Sequence, residues 1–145
     1  MYDDVIELIE RARVAFPPFG NGVSQAAIDN AEATLGFELP HSYKWWLRNY
    51  GGGQIQGDIV YGLDEEGIGK PDIVELATMN NSSGLYGQKR LVFCMGNAEN
   101  FVFNTETLDD GGEYEVLLHD ITAGEEIRFA VSFTEFLQRR ITEVM

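Results

Sequence analysis

Nucleophilic and metal-binding chemistry has few carriers in this sequence: one cysteine, Cys94, and two histidines, His41 and His119. Cys94 falls inside the apolar run Leu91-Val92-Phe93-Cys94-Met95, where a thiol reads as a small buried hydrophobe. Activation would need an adjacent base or cation, and nothing local supplies one. A pairing with His119 would have to come from strands brought together by the fold. His41 follows Pro40 in the first turn of a helix and reads as exposed. A single cysteine gives no intrachain disulfide and no thiolate metal cluster. Asp64-Glu65-Glu66 and Asp109-Asp110 offer hard oxygen ligands, but neither follows the spacing of an EF-hand loop. Gly51-Gly52-Gly53 lies between a helix and a strand, the reverse of the order a phosphate cradle needs. The reading is no catalytic residue, no cofactor and no metal.

Charge is the stronger signal. Ten Lys and Arg stand against 24 Asp and Glu, a formal charge of −14. Nucleic-acid binders need cations to displace phosphate counterions, and anionic lipid repels such a chain, so neither is an expected partner. A basic protein partner is favoured, because complementary charge speeds encounter; solubility alone is the competing explanation. The acids cluster late. Gly57 to Glu75 holds Asp58, Asp64, Glu65, Glu66, Asp72 and Glu75 against Lys70 alone, and Glu99 to Glu126 holds nine acids with no Lys or Arg. As a partner-facing surface the residues singled out are Asp58, Asp64, Glu65, Glu66, Asp109 and Asp110. Solvated loops and charged strand edges would give the same pattern.

The elements that must position these residues follow from periodicity. Val5, Leu8, Ile9 and Ala12 recur at helical spacing, with Asp3, Asp4 and Glu7 in the first turn, and Pro17-Pro18 ends the segment before a loop over Phe19-Gly20-Asn21-Gly22. Ser24 reads as the N-cap of a second helix whose buried face is Ile28, Ala31 and Leu35, closed by Gly36. Phe37-Glu38-Leu39 is an extended step into a third helix started by Pro40, with Tyr43, Trp46, Leu47 and Tyr50 on one face and Gly51-Gly52-Gly53 as its stop. Trp45 lies about 100° from Trp46 around that helix. It is either partly exposed, as a partner contact, or packed on the N-terminal helix.

Beyond the glycines the period changes. Ile55 to Leu63 suits strands with a turn near Gly57, and Pro71 to Met79 a short helix. Strands follow at Leu91–Met95, ended by Gly96-Asn97, at Phe101–Phe103, at Glu113–Leu118 after an Asp-Asp-Gly-Gly turn, and at Ile127–Ala130. Ser132 and Glu135 form a capping box for a last helix with Phe133, Phe136, Leu137 and Ile141 facing inward. Helices, then strands, then a helix predicts one α+β domain over 1–145 with a mainly antiparallel sheet of about five or six strands. No apolar run approaches the ~20 residues that span a bilayer, and the acidic start is unlike a signal peptide, which predicts a cytoplasmic location. Oligomeric state is not readable.

The ordered set LGFELPHSYKWWLRNYGGG, Leu91 to Asn104, and Ala130-Val131-Ser132-Phe133 through Phe136-Leu137 resembles the SUKH superfamily, its Smi/Knr branch in particular, over most of Ser24 to Ile141. Two positions depart from the family pattern: Gly51 stands where Asn often precedes the paired glycines, and Asn104 where Asp is frequent. The resemblance implies a non-catalytic protein-binding module. Bacterial members are viewed as immunity proteins that neutralise polymorphic or contact-dependent toxins, many of them basic nucleases. Fungal relatives are regulatory scaffolds linked to cell-wall synthesis, the alternative reading. A small hydrolase using Cys94 or a carboxylate pair is the third.

Overall fold

In the computed structural model, residues 2–15, 20–55, 57–63, 71–84, 86, 89–96 and 98–144 are described, with the backbone alone for 12–15 and 144. Pro17, Pro18, Phe19, Asp64, Glu65, Glu66 and Asn97 lie outside them, as does the side chain of Ala12. Helix α1 (Asp3–Ala15) opens with Asp3 and Asp4 in its first turn; Glu7 falls a turn later, where it pairs with Arg11 at 3.0 Å. In α2 (Gln25–Leu35) the Ser24 hydroxyl accepts from the Ala27 N–H, and Gly36 turns left-handed with φ 85°. Ile28, Ala31 and Leu35 are buried, the face their spacing predicts. Helix α3 (His41–Asn49) begins one residue after Pro40 and buries Tyr43, Trp46 and Leu47. Gly51 takes φ 75°, a conformation open to both residue types, which suits glycine in place of asparagine at this turn.

Six antiparallel strands follow in a meander of order β1-β2-β3-β4-β5-β6, namely β1 (Gly53–Ile55), β2 (Asp58–Val60), β3 (Arg90–Met95), β4 (Glu99–Leu108), β5 (Tyr114–Asp120) and β6 (Glu125–Ala130). Helix α4 (Ile73–Ser82) interrupts them after β2, started by a capping box of Asp72 and Glu75. Helix α5 (Phe133–Val144) closes the chain. Its Ser132 cap accepts from the Glu135 N–H at 3.2 Å, but the Glu135 carboxylate reaches back to the Val131 N–H at 3.3 Å rather than to Ser132. The fold is the expected α+β arrangement, with N-terminal helices and a C-terminal helix on the sheet.

Alternation along the strands makes two faces. The inner face carries Phe93, Phe101, Phe103, Tyr114 and Val116 against α1, α2, α3 and α5 in one buried cluster. A register shift between Val92 and Cys94 turns both Phe93 and Cys94 inward, an effect of a bulge. On the outer face Val92, Val102 and Leu117 pack under Leu76 of α4, with Tyr61, Tyr86 and Met95 around them. The same face also carries the polar side chains of Arg90, Asn100, Asn104, Glu115, His119 and Arg128, and the candidate site lies at the end of it marked by Asn104 and Glu115. Among the described residues no helix is long and apolar enough to cross a membrane.

Candidate partner-binding surface

The turn between β4 and β5 is rigid for a chemical reason. Asp109 Oδ1 accepts from the N–H groups of Gly111 and Glu113, both at 2.9 Å, so the side chain closes its own turn. The tip then docks on the start of α3. His41 N–H donates to the Gly112 carbonyl at 2.9 Å. Pro40 offers α3 no capping side chain, and Glu113 supplies the missing acceptors from 71 residues away: Oε2 takes the Ser42 N–H at 2.8 Å and Oε1 the Ser42 hydroxyl at 2.6 Å. A carboxylate at a helix N-terminus also meets the positive end of the dipole. Ser42 is 2% exposed, so removing the acceptor leaves a buried donor without water. Glu113→Ala is expected to lower stability by about 1–3 kcal/mol and Glu113→Gln by less, read as urea midpoints; equal, negligible losses would refute this capping role.

The turn stands as a ridge between two hollows that share Glu113. One, of about 510 Å³, lies among Tyr2, Val5, His41, Ser132 and Gln138. The other, of about 320 Å³, is walled by Asp109, Glu115 and Arg128 and floored by Leu108 and Val131. Leu108 and Val131 are 52% and 50% exposed, so apolar surface meets solvent there beside carboxylates. Glu115 is fixed in place: its Oε1 accepts from Asn104 Nδ2 at 2.9 Å. Asn104 is buried and also accepts, through Oδ1, from Arg90 at 2.8 Å and from the Glu106 N–H at 3.2 Å. An aspartate at this position has no N–H for Glu115, so the departure from the family pattern builds a different polar network.

Arg90 is held tightly, by Glu126 through two bonds of 3.0 and 3.2 Å and by Glu106 at 3.1 Å; the Glu126 bonds are the main reason its guanidinium pKa is raised. Nearby, Asn100 donates to the Tyr86 hydroxyl at 2.9 Å. That hydroxyl lies 2.5 Å from His119 Nδ1. The chain of contacts pins Tyr86 to the outer face, and burial raises its pKa.

The residues singled out from sequence separate here. Asp109 and Asp110 sit together, exposed, on the ridge. Trp45 is half-buried and stacks on Tyr2 with centroids 4.3 Å apart, so its packing partner precedes α1, and Tyr2 in turn lines the larger hollow. Asp58 belongs elsewhere: Arg140 of α5 holds it at 3.1 Å and also binds Glu143. Asp64, Glu65 and Glu66 are outside the described residues. Sequence reasoning missed Leu108, Val131 and Glu115; the signal was an apolar residue directly before Asp109-Asp110 and another between Ala130 and the Ser132 cap.

Cys94 is buried in the core. Burial above all, with Asp58 adding to it and Arg140 opposing, pushes its thiol up to about 12. Folded and unfolded chains both keep the thiol protonated below pH ~8.5; above that the unfolded thiol ionises first, so this group subtracts stability as pH rises toward 12. The urea midpoint is expected to fall between about pH 8.5 and 11, less steeply in Cys94→Ala, and native Cys94 should resist iodoacetamide at about pH 8 until the chain is unfolded. Rapid native alkylation would contradict this burial.

The sequence model of the SMI1 / KNR4 family (SUKH-1) matches residues 22–139, from the residue before Val23 to the middle of α5. That span takes in the six strands of the described residues, the three helices after α1 and the ridge itself, whereas Tyr2 and Val5 of the larger hollow precede it. The family is one of generally non-catalytic proteins, consistent with an immunity-type or regulatory module, and this chain belongs to it.

Proposed function

We propose that this chain is a protein-binding immunity module that neutralises a basic, nuclease-type toxin domain by occupying the place of its nucleic-acid substrate. The observation that carries the reading is the ridge: Asp109 and Asp110 stand exposed on a turn braced by its own hydrogen bonds, between two open hollows. It lies within a stretch from Glu99 to Glu126 that has nine acids and no Lys or Arg. A braced acidic surface loses little entropy on meeting a cationic one, which favours affinity as well as encounter rate.

The test is survival and binding. The toxin domain encoded nearest this gene is expressed in a sensitive host with and without the chain, and the purified pair is titrated at about 50 and about 300 mM salt. Rescue, a stoichiometric complex and about tenfold or greater weakening at the higher salt are expected. Absence of both rescue and complex would sink the reading.

A further inference from the structure

The hollow over Leu108 and Val131 has the composition of a seat for one long cationic side chain. Its floor is apolar and half-exposed, and its wall carries Glu115 and Asp109. Glu115 is oriented rather than free, because the buried Asn104 amide holds Oε1 at 2.9 Å and leaves Oε2 directed at the groove's own arginine. That arginine holds it poorly. Arg128 Nε stands 3.8 Å from Glu115 Oε2 with its side chain 64% exposed, whereas Arg90 on the same face is 20% exposed and bonds Glu126 at 3.0 Å. A loose pair whose cation is largely exposed contributes little, so an incoming guanidinium has little to displace. Its methylene stem would cover Leu108 and Val131, as arginine stems do along apolar surface.

We propose that this groove receives an arginine side chain of the protein partner, the stem on Leu108 and Val131 and the head on Glu115. The occupant is chosen by charge complementarity: a fixed carboxylate on a strongly acidic chain, beside exposed apolar surface that would otherwise meet water. This rests on the partner-binding reading and names the chemistry it uses.

The probe is n-butylguanidinium, a guanidinium on an aliphatic stem, followed by amide chemical shifts of the full chain, with guanidinium ion as the stemless comparison. Saturable millimolar binding is expected, with shifts centred on Leu108, Glu115 and Val131 and no saturable shift there from guanidinium. Glu115→Gln keeps the acceptor for Asn104 but removes the charge, and Leu108→Ser removes the floor at an exposed position. Each should weaken binding roughly three- to fivefold. Shifts spread evenly over the acidic surface, or unchanged by both substitutions, would overturn the proposal. So would a dimer in sedimentation that Leu108→Ser dissolves, since a second copy would then fill the groove. In the toxin complex, tight binding indifferent to both substitutions removes the arginine seat while leaving the immunity reading intact.

Discussion

Phe133→Ala is expected to remove about 3–5 kcal/mol of stability, enough to leave the chain marginally folded at best. Phe133 is fully buried at the first turn of α5. Its ring lies 5.0 Å from Tyr43 and 5.1 Å from Trp46, centroid to centroid, and 5.6 Å from Phe93 and 5.8 Å from Phe136. One side chain therefore joins α3, β3 and α5, and three of these contacts are edge-on or tilted, arrangements that aromatic quadrupoles favour. Truncation leaves a cavity walled by rigid rings, which cannot collapse to fill it. Val131→Ala, two residues earlier and 50% exposed, should change stability by less than about 0.5 kcal/mol. Urea unfolding of both variants at unchanged slope measures the contrast. A loss below about 1.5 kcal/mol for Phe133→Ala would mean that the aromatic cluster relaxes in a way the packing does not suggest.

The same contrast explains what the sequence made legible. Ser24, Gly36 and the Tyr43-Trp46-Leu47 face are local matters of period and capping, decided within a turn or two, and they stand where the spacing places them. The strands were legible as elements, but the length of β4 was not. Its end is held by the Asn104 side chain, which accepts from the Glu106 N–H, and by the Asn104 backbone carbonyl, which accepts from the Thr107 hydroxyl; no periodicity encodes such bonds. The ridge was half legible. An Asp-Asp-Gly-Gly turn is a local pattern, whereas the docking of Glu113 on Ser42 spans 71 residues.

Acids were the least legible class, because composition cannot say which carboxylates the fold engages. Asp58 is held by Arg140, Glu106 and Glu126 by Arg90, and Glu113 by Ser42. Those four work within the protein. Asp109 and Asp110 differ: the first uses one oxygen to close its turn, and both are exposed. A charge run is thus divided between support and surface by partners that lie on other strands and helices. The apolar half of the surface, Leu108 and Val131, was hidden because a single exposed hydrophobe in sequence looks like any strand residue.

Gly62→Ala carries the second large effect, expected at about 3 kcal/mol or more of destabilisation. A Cβ at this position would lie 1.9 Å from the Gly51 carbonyl oxygen and 2.7 Å from its carbon, both backbone atoms. No side chain can move aside to admit it. The contact is close because two segments cross here: Leu63 N–H donates to that same Gly51 carbonyl at 2.7 Å, and Ile73 N–H donates to the Gly62 carbonyl at 2.8 Å. Relief of the clash must therefore lengthen the bond that ties the stop of α3 to the exit of β2, and pull on the start of α4. Gly36→Ala is the informative comparison, since Gly36 has φ 85° but an alanine methyl there would meet nothing within 4 Å. Its cost is conformational alone, roughly 1 kcal/mol. A thermal melt of the two variants separates backbone strain from collision. Were Gly62→Ala no more damaging than Gly36→Ala, the crossing of the two segments would have to be looser than these hydrogen bonds allow, and the link between the helical half and the sheet would lie elsewhere.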